Sequence, residues 1–283
     1  MYLTYEEATL KLLRDKRHQQ LMFDCYLELD PSKAALRYKE SEEFAEVKRI
    51  LARKSPIGVV LDIGAGNGIL SFALAEQGYK VLALEPGDGV ITGRKAMRTI
   101  QITTGTKFEI LDGWAEAIPL KDAVADIVVA RQVLHHAKDL KKMCAEVYRV
   151  LKPQGLFLAF REHVLFKENS LGLFLSNHPM HQLTGNENAY MLRFYKESIK
   201  VAGFSKLKVH AFWDSVLNYA PRRTFEVDTH FAKRLSECIP FLTSGFFESY
   251  VLKIPGVSNL IRRLLSIVQK TPGILYTFEA TKP

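Results

Sequence analysis

Val59-Val60-Leu61-Asp62-Ile63-Gly64-Ala65-Gly66-Asn67-Gly68 decides the reading of this chain. Apolar and β-branched residues lead into closely spaced glycines, the pattern of a buried parallel strand whose end turns tightly into a helix. Residues without a Cβ let the backbone take a positive φ and let a bulky ligand lie against the main chain. Glu85 ends the next apolar run, Lys80-Val81-Leu82-Ala83-Leu84. That puts a carboxylate at the carboxyl edge of the neighbouring strand, where it can accept from two ribose hydroxyls. Both pieces face one crevice, a cofactor cradle.

The glycine spacing separates cofactors. A dinucleotide fingerprint, G-x-G-x-x-G, would place its third glycine at Ile69, whereas here it falls at Gly68. This argues against a nicotinamide oxidoreductase. Outward from the loop, strands are expected near 57–62, 80–85, 107–111, 126–130 and 155–161, with helices near 68–77, 92–100 and 138–151. Such alternation implies an α/β fold, a doubly wound and mostly parallel sheet with ligands past the strands' carboxyl ends. Residues 1–54 are charged and helically spaced, with a break at Asp30-Pro31-Ser32-Lys33, and read as two or three helices. After Arg161 comes an aromatic and histidine-rich stretch, 162–190, then an amphipathic helix near 191–202 that stops at Gly203. Two further strands, 206–212 and 274–280, bring the total to seven.

At 283 residues and 47% apolar content the chain can bury a substantial core. Cys25, Cys144 and Cys238 are scattered and show no C-x-x-C spacing, so neither a disulfide framework nor a zinc site is suggested and a reducing, cytoplasmic setting fits. The start lacks a basic segment followed by an apolar one, and no run approaches a membrane span. The net charge of +8 is uneven: 11 basic against 10 acidic residues precede Ile57, 13 against 11 run from Ile57 to Arg161, and 15 against 10 follow. An anionic partner would be met in the last third.

The G-x-G-x-G loop preceded by Leu61-Asp62 resembles the first motif of class I S-adenosylmethionine-dependent methyltransferases. Asp112-Gly113-Trp114-Ala115-Glu116-Ala117-Ile118-Pro119-Leu120, then Ala125-Asp126-Ile127-Val128-Val129-Ala130-Arg131-Gln132-Val133-Leu134-His135-His136, and finally Val147-Tyr148-Arg149-Val150-Leu151-Lys152-Pro153-Gln154-Gly155-Leu156, are similar to the later motifs of the methyltransferase-11-like small-molecule branch. The resemblance implies a seven-stranded Rossmann-like sheet whose last strand inserts antiparallel between the fifth and sixth. It divides the chain into an N-terminal helical segment (1–54), an S-adenosylmethionine-binding core (55–213 with 274–283), and insertions at 162–190 and 214–273 that cover the crevice.

By position, the resemblance implies cofactor contacts from Asp62, Gly64, Gly66, Gly68, Glu85, Trp114, Ala115 and Arg131. Trp114 stands where the family has an acidic residue for the adenine amino group; its indole could pack on the adenine face while the Ala115 N–H reads the ring edge, or it could fill the sheet edge. Arg131 could reach the methionine portion or form a surface salt bridge. Methyl transfer is an in-line displacement in which the cofactor brings the reactivity, so the protein supplies alignment and, for an alcohol, a base. His136 is the first candidate base and His163 the second, each with a structural alternative; on a helix at most one of His135 and His136 should face the crevice. His178 and His181 are three apart, but Pro179 lies between them and no Cys or carboxylate pair joins at ligand spacing, so no metal is expected.

Thr184-Gly185-Asn186-Glu187-Asn188-Ala189-Tyr190 suits a polyhydroxylated ligand, or else caps the next helix. Residues 257–270 carry a helical apolar stripe with cations beside it, able to pack on the domain or to lie on an anionic membrane surface. The expected activity is therefore methyl transfer from S-adenosylmethionine to oxygen or nitrogen of a small molecule, with a sugar or lipid-linked saccharide as acceptor. A nucleic-acid methyltransferase is disfavoured, because Ala130-Arg131-Gln132-Val133 replaces the Asn/Asp-Pro-Pro-Tyr that grips a flipped base. A non-catalytic S-adenosylmethionine-binding protein is the remaining alternative.

Overall fold

A computed structural model describes residues 2–54, 58–185, 187–238, 241, 243–254 and 256–283. Its centre is a sheet of β1 (Val59–Ile63), β2 (Lys80–Leu84), β3 (Glu109–Leu111), β4 (Ala125–Arg131), β5 (Leu151–Leu165), β6 (Tyr190–Met191), β7 (Ser205–His210) and β8 (Ile274–Thr281). The order is β3-β2-β1-β4-β5-β8-β7, with β6 pairing β5 off this path. β8 runs antiparallel to both neighbours and the other pairs are parallel. The seven expected strands and the antiparallel insertion are present, and β6 is added. The reading of a strand start at Ile57 lies outside the described residues.

β1 and β4 are buried almost throughout, as expected of strands covered on both faces. One face packs on α7 (Leu140–Val150) and α10 (Leu192–Val201), through Met143, Val147, Tyr195 and Ile199. The other packs on α5 (Ile69–Ala75) and α6 (Arg94–Thr104).

The N-terminal region holds four helices rather than two or three: α1 (Tyr5–Arg14), α2 (Gln19–Asp24), α3 (Pro31–Lys39) and α4 (Glu42–Leu51). Asp30 caps α3 by accepting from the Ser32 N–H at 3.0 Å, with Pro31 in the first turn, which is the break expected there. Ala34, Tyr38, Phe44 and Val47 are fully buried against the β1 side of the sheet. α3 and α4 thus form part of the core layer. α1 and α2 pack with Met180 of α9 (Pro179–Thr184), beyond α8 (Leu171–Ser176).

The 214–273 stretch contains α11 (Val216–Tyr219), α12 (Thr224–Cys238), α13 (Ser244–Phe246) and α14 (Val257–Val268). Ile261 and Leu265 of α14 pack with Trp213, Tyr219 and Phe231. Arg262, 6% exposed, points inward to Asp228 at 2.5 Å and to the Tyr219 hydroxyl at 2.8 Å. Leu260, Leu264, Ile267 and Val268 are left exposed. No helix among the described residues is long and apolar enough to cross a membrane.

Candidate active site

A single recess of about 860 Å³ opens at the carboxyl ends of β1, β2, β4 and β5, the position where ligands bind in doubly wound sheets. At one end lies the glycine loop. Gly64, Gly66 and Gly68 have φ of 60°, 57° and 82°, which L side chains rarely adopt. A Cβ on Gly64 would strike Val133 at 2.7 Å and one on Gly68 would strike Met97 at 2.4 Å, while one on Gly66 would meet only the Gly64 carbonyl oxygen at 3.9 Å. Gly64 and Gly68 therefore let the chain pack, and Gly66 keeps open the space beside the loop.

Glu85 is held by two backbone donors, the Gly66 N–H and the Gly87 N–H, each at 2.8 Å. The carboxylate also lines the recess. Asp62, 1% exposed, accepts from the Ser71 hydroxyl at 2.6 Å, and burial pushes its pKa up to about 7. Trp114 is 60% exposed on the rim, with the Lys138 ammonium 5.5 Å from its ring centroid. It does not fill the sheet edge. Ala115 lies beside it in the wall.

Of the expected site residues, Asp62, Gly64, Gly66, Glu85, Trp114, Ala115, Arg131, His136 and His163 line the recess, and Gly68 stands behind it as the N-cap of α5. The Arg131 charge is already engaged. Its Nε donates to Glu43 at 2.6 Å, and the guanidinium sits 5.6 and 5.5 Å from the ring centroids of Tyr26 and Tyr38. Glu43 is 1% exposed and also pairs with Arg161 at 3.4 Å. The two guanidiniums hold its carboxyl below the usual value against the effect of burial. Removing one partner of such a set leaves an uncompensated buried charge.

The other end of the recess is a ring of imidazoles. β5 carries a bulge between Ala159 and Glu162, where Arg161 takes φ 62°, and such bulges re-aim the side chains that follow. Here they aim Glu162 and His163 across to the turn after β4, where a single 3₁₀ turn spans Leu134–His136. Glu162, fully buried, accepts from the Val133 N–H at 3.0 Å, from the His135 N–H at 3.2 Å and from His135 Nδ1 at 2.7 Å. Burial pushes Glu162 up to about 7 and His135 down to about 3, so His135 is a neutral imidazole carrying its proton on Nδ1. His163 Nδ1 lies 2.7 Å from the Gly273 carbonyl oxygen, which makes that nitrogen the donor. Burial holds His163 well below the usual histidine value.

His135 and His136 both line the recess, their ring centroids 4.1 Å apart. The expectation that only one could do so assumed a regular helix; a lone 3₁₀ turn sets both rings toward the recess instead, tilted 41° to each other. Pro179 does not interrupt a helix but opens one: His178 is the N-cap of α9, its Nδ1 accepting from the Met180 N–H at 3.3 Å. His178 and His181 therefore face each other at 4.5 Å between centroids. Glu187 comes within 3.2 Å of His136 Nδ1. Tyr190 donates to the Ala137 carbonyl at 2.5 Å. The Asn186 part of that motif lies outside the described residues.

The cover differs from expectation. Residues 162–190 contribute His163, His178, Met180, His181 and Glu187, but no described residue of 214–273 lines the recess. Tyr5, Glu6, Leu21 and Met22 of α1 and α2 take that place. Glu6 accepts from the N–H groups of Val90, Ile91 and Thr92 at 2.9 to 3.0 Å, tying α1 to the loop after β2. The 214–273 helices instead dock through Asn218, which donates to the His210 and Ala211 carbonyls and accepts from Thr277. Glu43, Glu162 and Glu6 were not legible as site residues, because their partners lie far along the chain.

Residues 61–159 match the family described as a methyltransferase domain. With the fold and the glycine loop, this match identifies a class I S-adenosylmethionine-dependent methyltransferase domain in the chain. The uncharacterized methyltransferase YcgJ of Bacillus subtilis is 30% identical over 132 residues, 45% of this chain and 51% of that protein. The ubiquinone biosynthesis O-methyltransferase of Rickettsia conorii is 21% identical over 188 residues, 66% and 61% of the two chains. This chain thus covers less than two thirds of the length of either. Among solved structures, phosphoethanolamine N-methyltransferase 2 of Haemonchus contortus in complex with S-adenosyl-L-methionine aligns with TM-score 0.58 and 17% identity, over 99% of this chain and 60% of that one. The YcgJ structure aligns with TM-score 0.52 and 17% identity, over 85% and 97%.

Proposed function

We propose that the protein transfers a methyl group from S-adenosylmethionine to a hydroxyl of a small polyhydroxylated acceptor, a sugar or lipid-linked saccharide. One observation carries this reading: a single recess joins the glycine loop and Glu85 to the histidine ring around His163 and His136. The open space at Gly66, the Glu85 carboxylate and the indole on the rim fit the amino acid, ribose and adenine portions of the cofactor. Asp62 and Arg131 border its methionine portion. The bound cofactor supplies an electrophilic methyl carbon on a sulfonium.

The relatives are named for both nitrogen and oxygen methylation. The imidazoles favour oxygen, because a hydroxyl must lose its proton as it attacks and an amine need not. His163 is placed for that step: with Nδ1–H fixed on the Gly273 carbonyl, Nε2 keeps its lone pair. His136, backed by Glu187, orients the acceptor. The exposed aliphatic face of α14, shared with Arg263, supports a membrane-bound acceptor met at an anionic surface. Vesicles containing phosphatidylglycerol should co-float the protein and lose it on Leu264→Glu; equal behaviour with neutral vesicles would count against this contact.

Incubation with methyl-labelled S-adenosylmethionine and a panel of nucleotide sugars, glycolipids and RNA tests the acceptor class. Label in a saccharide hydroxyl is the expected result. Label in RNA, or in none of these despite cofactor binding, would overturn it in favour of a nucleic-acid enzyme or a non-catalytic binding protein.

A further inference from the structure

We propose that His135, His136 and Glu187 bind a divalent transition-metal ion at the acceptor end of the recess, and that this ion holds two adjacent oxygens of the acceptor. The proposal rests on the methyl-transfer reading and deepens it, and it revises the expectation from sequence spacing that no metal is bound. One potential ligand atom from each of the three residues lies within 4.8 Å of the others. Donors on one ion at ~2.1 Å stand roughly 3 to 3.4 Å apart. The His136–Glu187 pair is already at 3.2 Å, and His136, whose side chain is 40% exposed, has room to turn.

The surroundings resemble a ligand shell more than a set of structural histidines. A metal-bound histidine donates its other ring N–H to a carboxylate or carbonyl, which fixes the tautomer. His135 does this to the buried Glu162 at 2.7 Å, leaving Nε2 free to ligate. His181, 6% exposed, lines the same recess. His181 reaches the site through His163, at 5.8 Å between ring centroids, and His163 lies 4.8 Å from His135.

Two imidazoles and one carboxylate suit iron(II), manganese(II), cobalt(II) or zinc(II) better than calcium, and leave coordination positions open for a vicinal diol. In the reaction, one ion-held hydroxyl gives its proton to His163 Nε2 and its oxygen electron pair forms the bond to the methyl carbon. The carbon–sulfur bond breaks with its electrons returning to sulfur, and S-adenosylhomocysteine leaves. His163 then releases the proton to solvent.

The test is titration of chelator-treated full-length protein with cobalt(II), followed by its visible absorption, beside calorimetric titration with S-adenosylhomocysteine. One equivalent of cobalt should bind and give a ligand-field spectrum, and the affinity should fall at least ~10-fold in Glu187→Gln and in His136→Gln. Homocysteine affinity should stay within ~2-fold in both variants, which also shows that they fold. Cobalt binding that is absent, or unaltered by both substitutions, while S-adenosylhomocysteine binds normally, would overturn the metal site and leave the methyltransferase reading intact. Failure to bind S-adenosylhomocysteine would remove the reading on which the site rests.

Discussion

The two ends of the recess are made by different means. The cofactor end is mostly main chain: glycines at positive φ, two N–H groups holding Glu85, and a loop contributed by neighbouring strands. The histidine end, where we place the acceptor, is made of side chains brought from β5, the turn after β4, α9 and the loop at Glu187, behind a cover from α1 and α2. A backbone cradle accepts one shape of ligand whatever surrounds it. A side-chain ring can be rebuilt for a new acceptor without disturbing the cradle, which fits relatives that differ in the molecules for which they are named.

That division is open to direct attack. His163→Gln should lower kcat by ~10²–10⁴ while leaving S-adenosylhomocysteine affinity within ~2-fold, because it removes proton transfer and touches only the acceptor end. Steady-state rates beside calorimetry check this; a matched loss of both would show the ends to be one unit. Gly66→Asp should do the reverse, weakening S-adenosylhomocysteine at least ~100-fold by filling the space beside the loop at φ 57°. Near-normal thermal unfolding of the variant would confirm that the loss is local.

Asp62 gives a pH signature belonging to the cofactor end. Its folded pKa of about 7 lies above the unfolded value near ~4, so the folded chain keeps a proton that the unfolded chain releases. The stabilising contribution is complete below ~4 and is lost as pH rises to about 7. Asp62→Asn should flatten this part of the profile by on the order of 4 kcal/mol in denaturant unfolding across pH 4 to 8. An unchanged slope would move the effect elsewhere. Smallest is Glu6→Ala, which frees the loop at Val90, Ile91 and Thr92. A loss of ~3–10-fold in S-adenosylhomocysteine affinity is expected, from hydrogen bonds to a charged group that order this loop. No change would show that α1 covers the recess without shaping it.

The same contrast explains what the sequence disclosed. The strand positions, the glycine loop and Glu85 were legible because they rest on local rules: apolar runs, a tight turn and a short spacing along the chain. The N-terminal segment was read as two or three helices where there are four, and the burial of its Tyr38 and Phe44 depends on a sheet that begins only at Val59. Glu43 bonds Arg131 and Arg161, and Glu162 bonds His135, across separations that no periodicity marks. The histidine pair after β4 was noticed, but a helix geometry was assumed where one 3₁₀ turn exists. Pro179 looked like a breaker and is a helix start, a distinction set by the conformation of His178.

The central claim is that the glycine-loop end of the recess holds S-adenosylmethionine. Calorimetric titration of the purified chain with S-adenosylhomocysteine, with NAD as control and Gly66→Asp alongside, tests it most directly. The account predicts micromolar binding of S-adenosylhomocysteine, none of NAD, and loss of binding in the variant. Binding of NAD, or of neither compound by the folded protein, would contradict it.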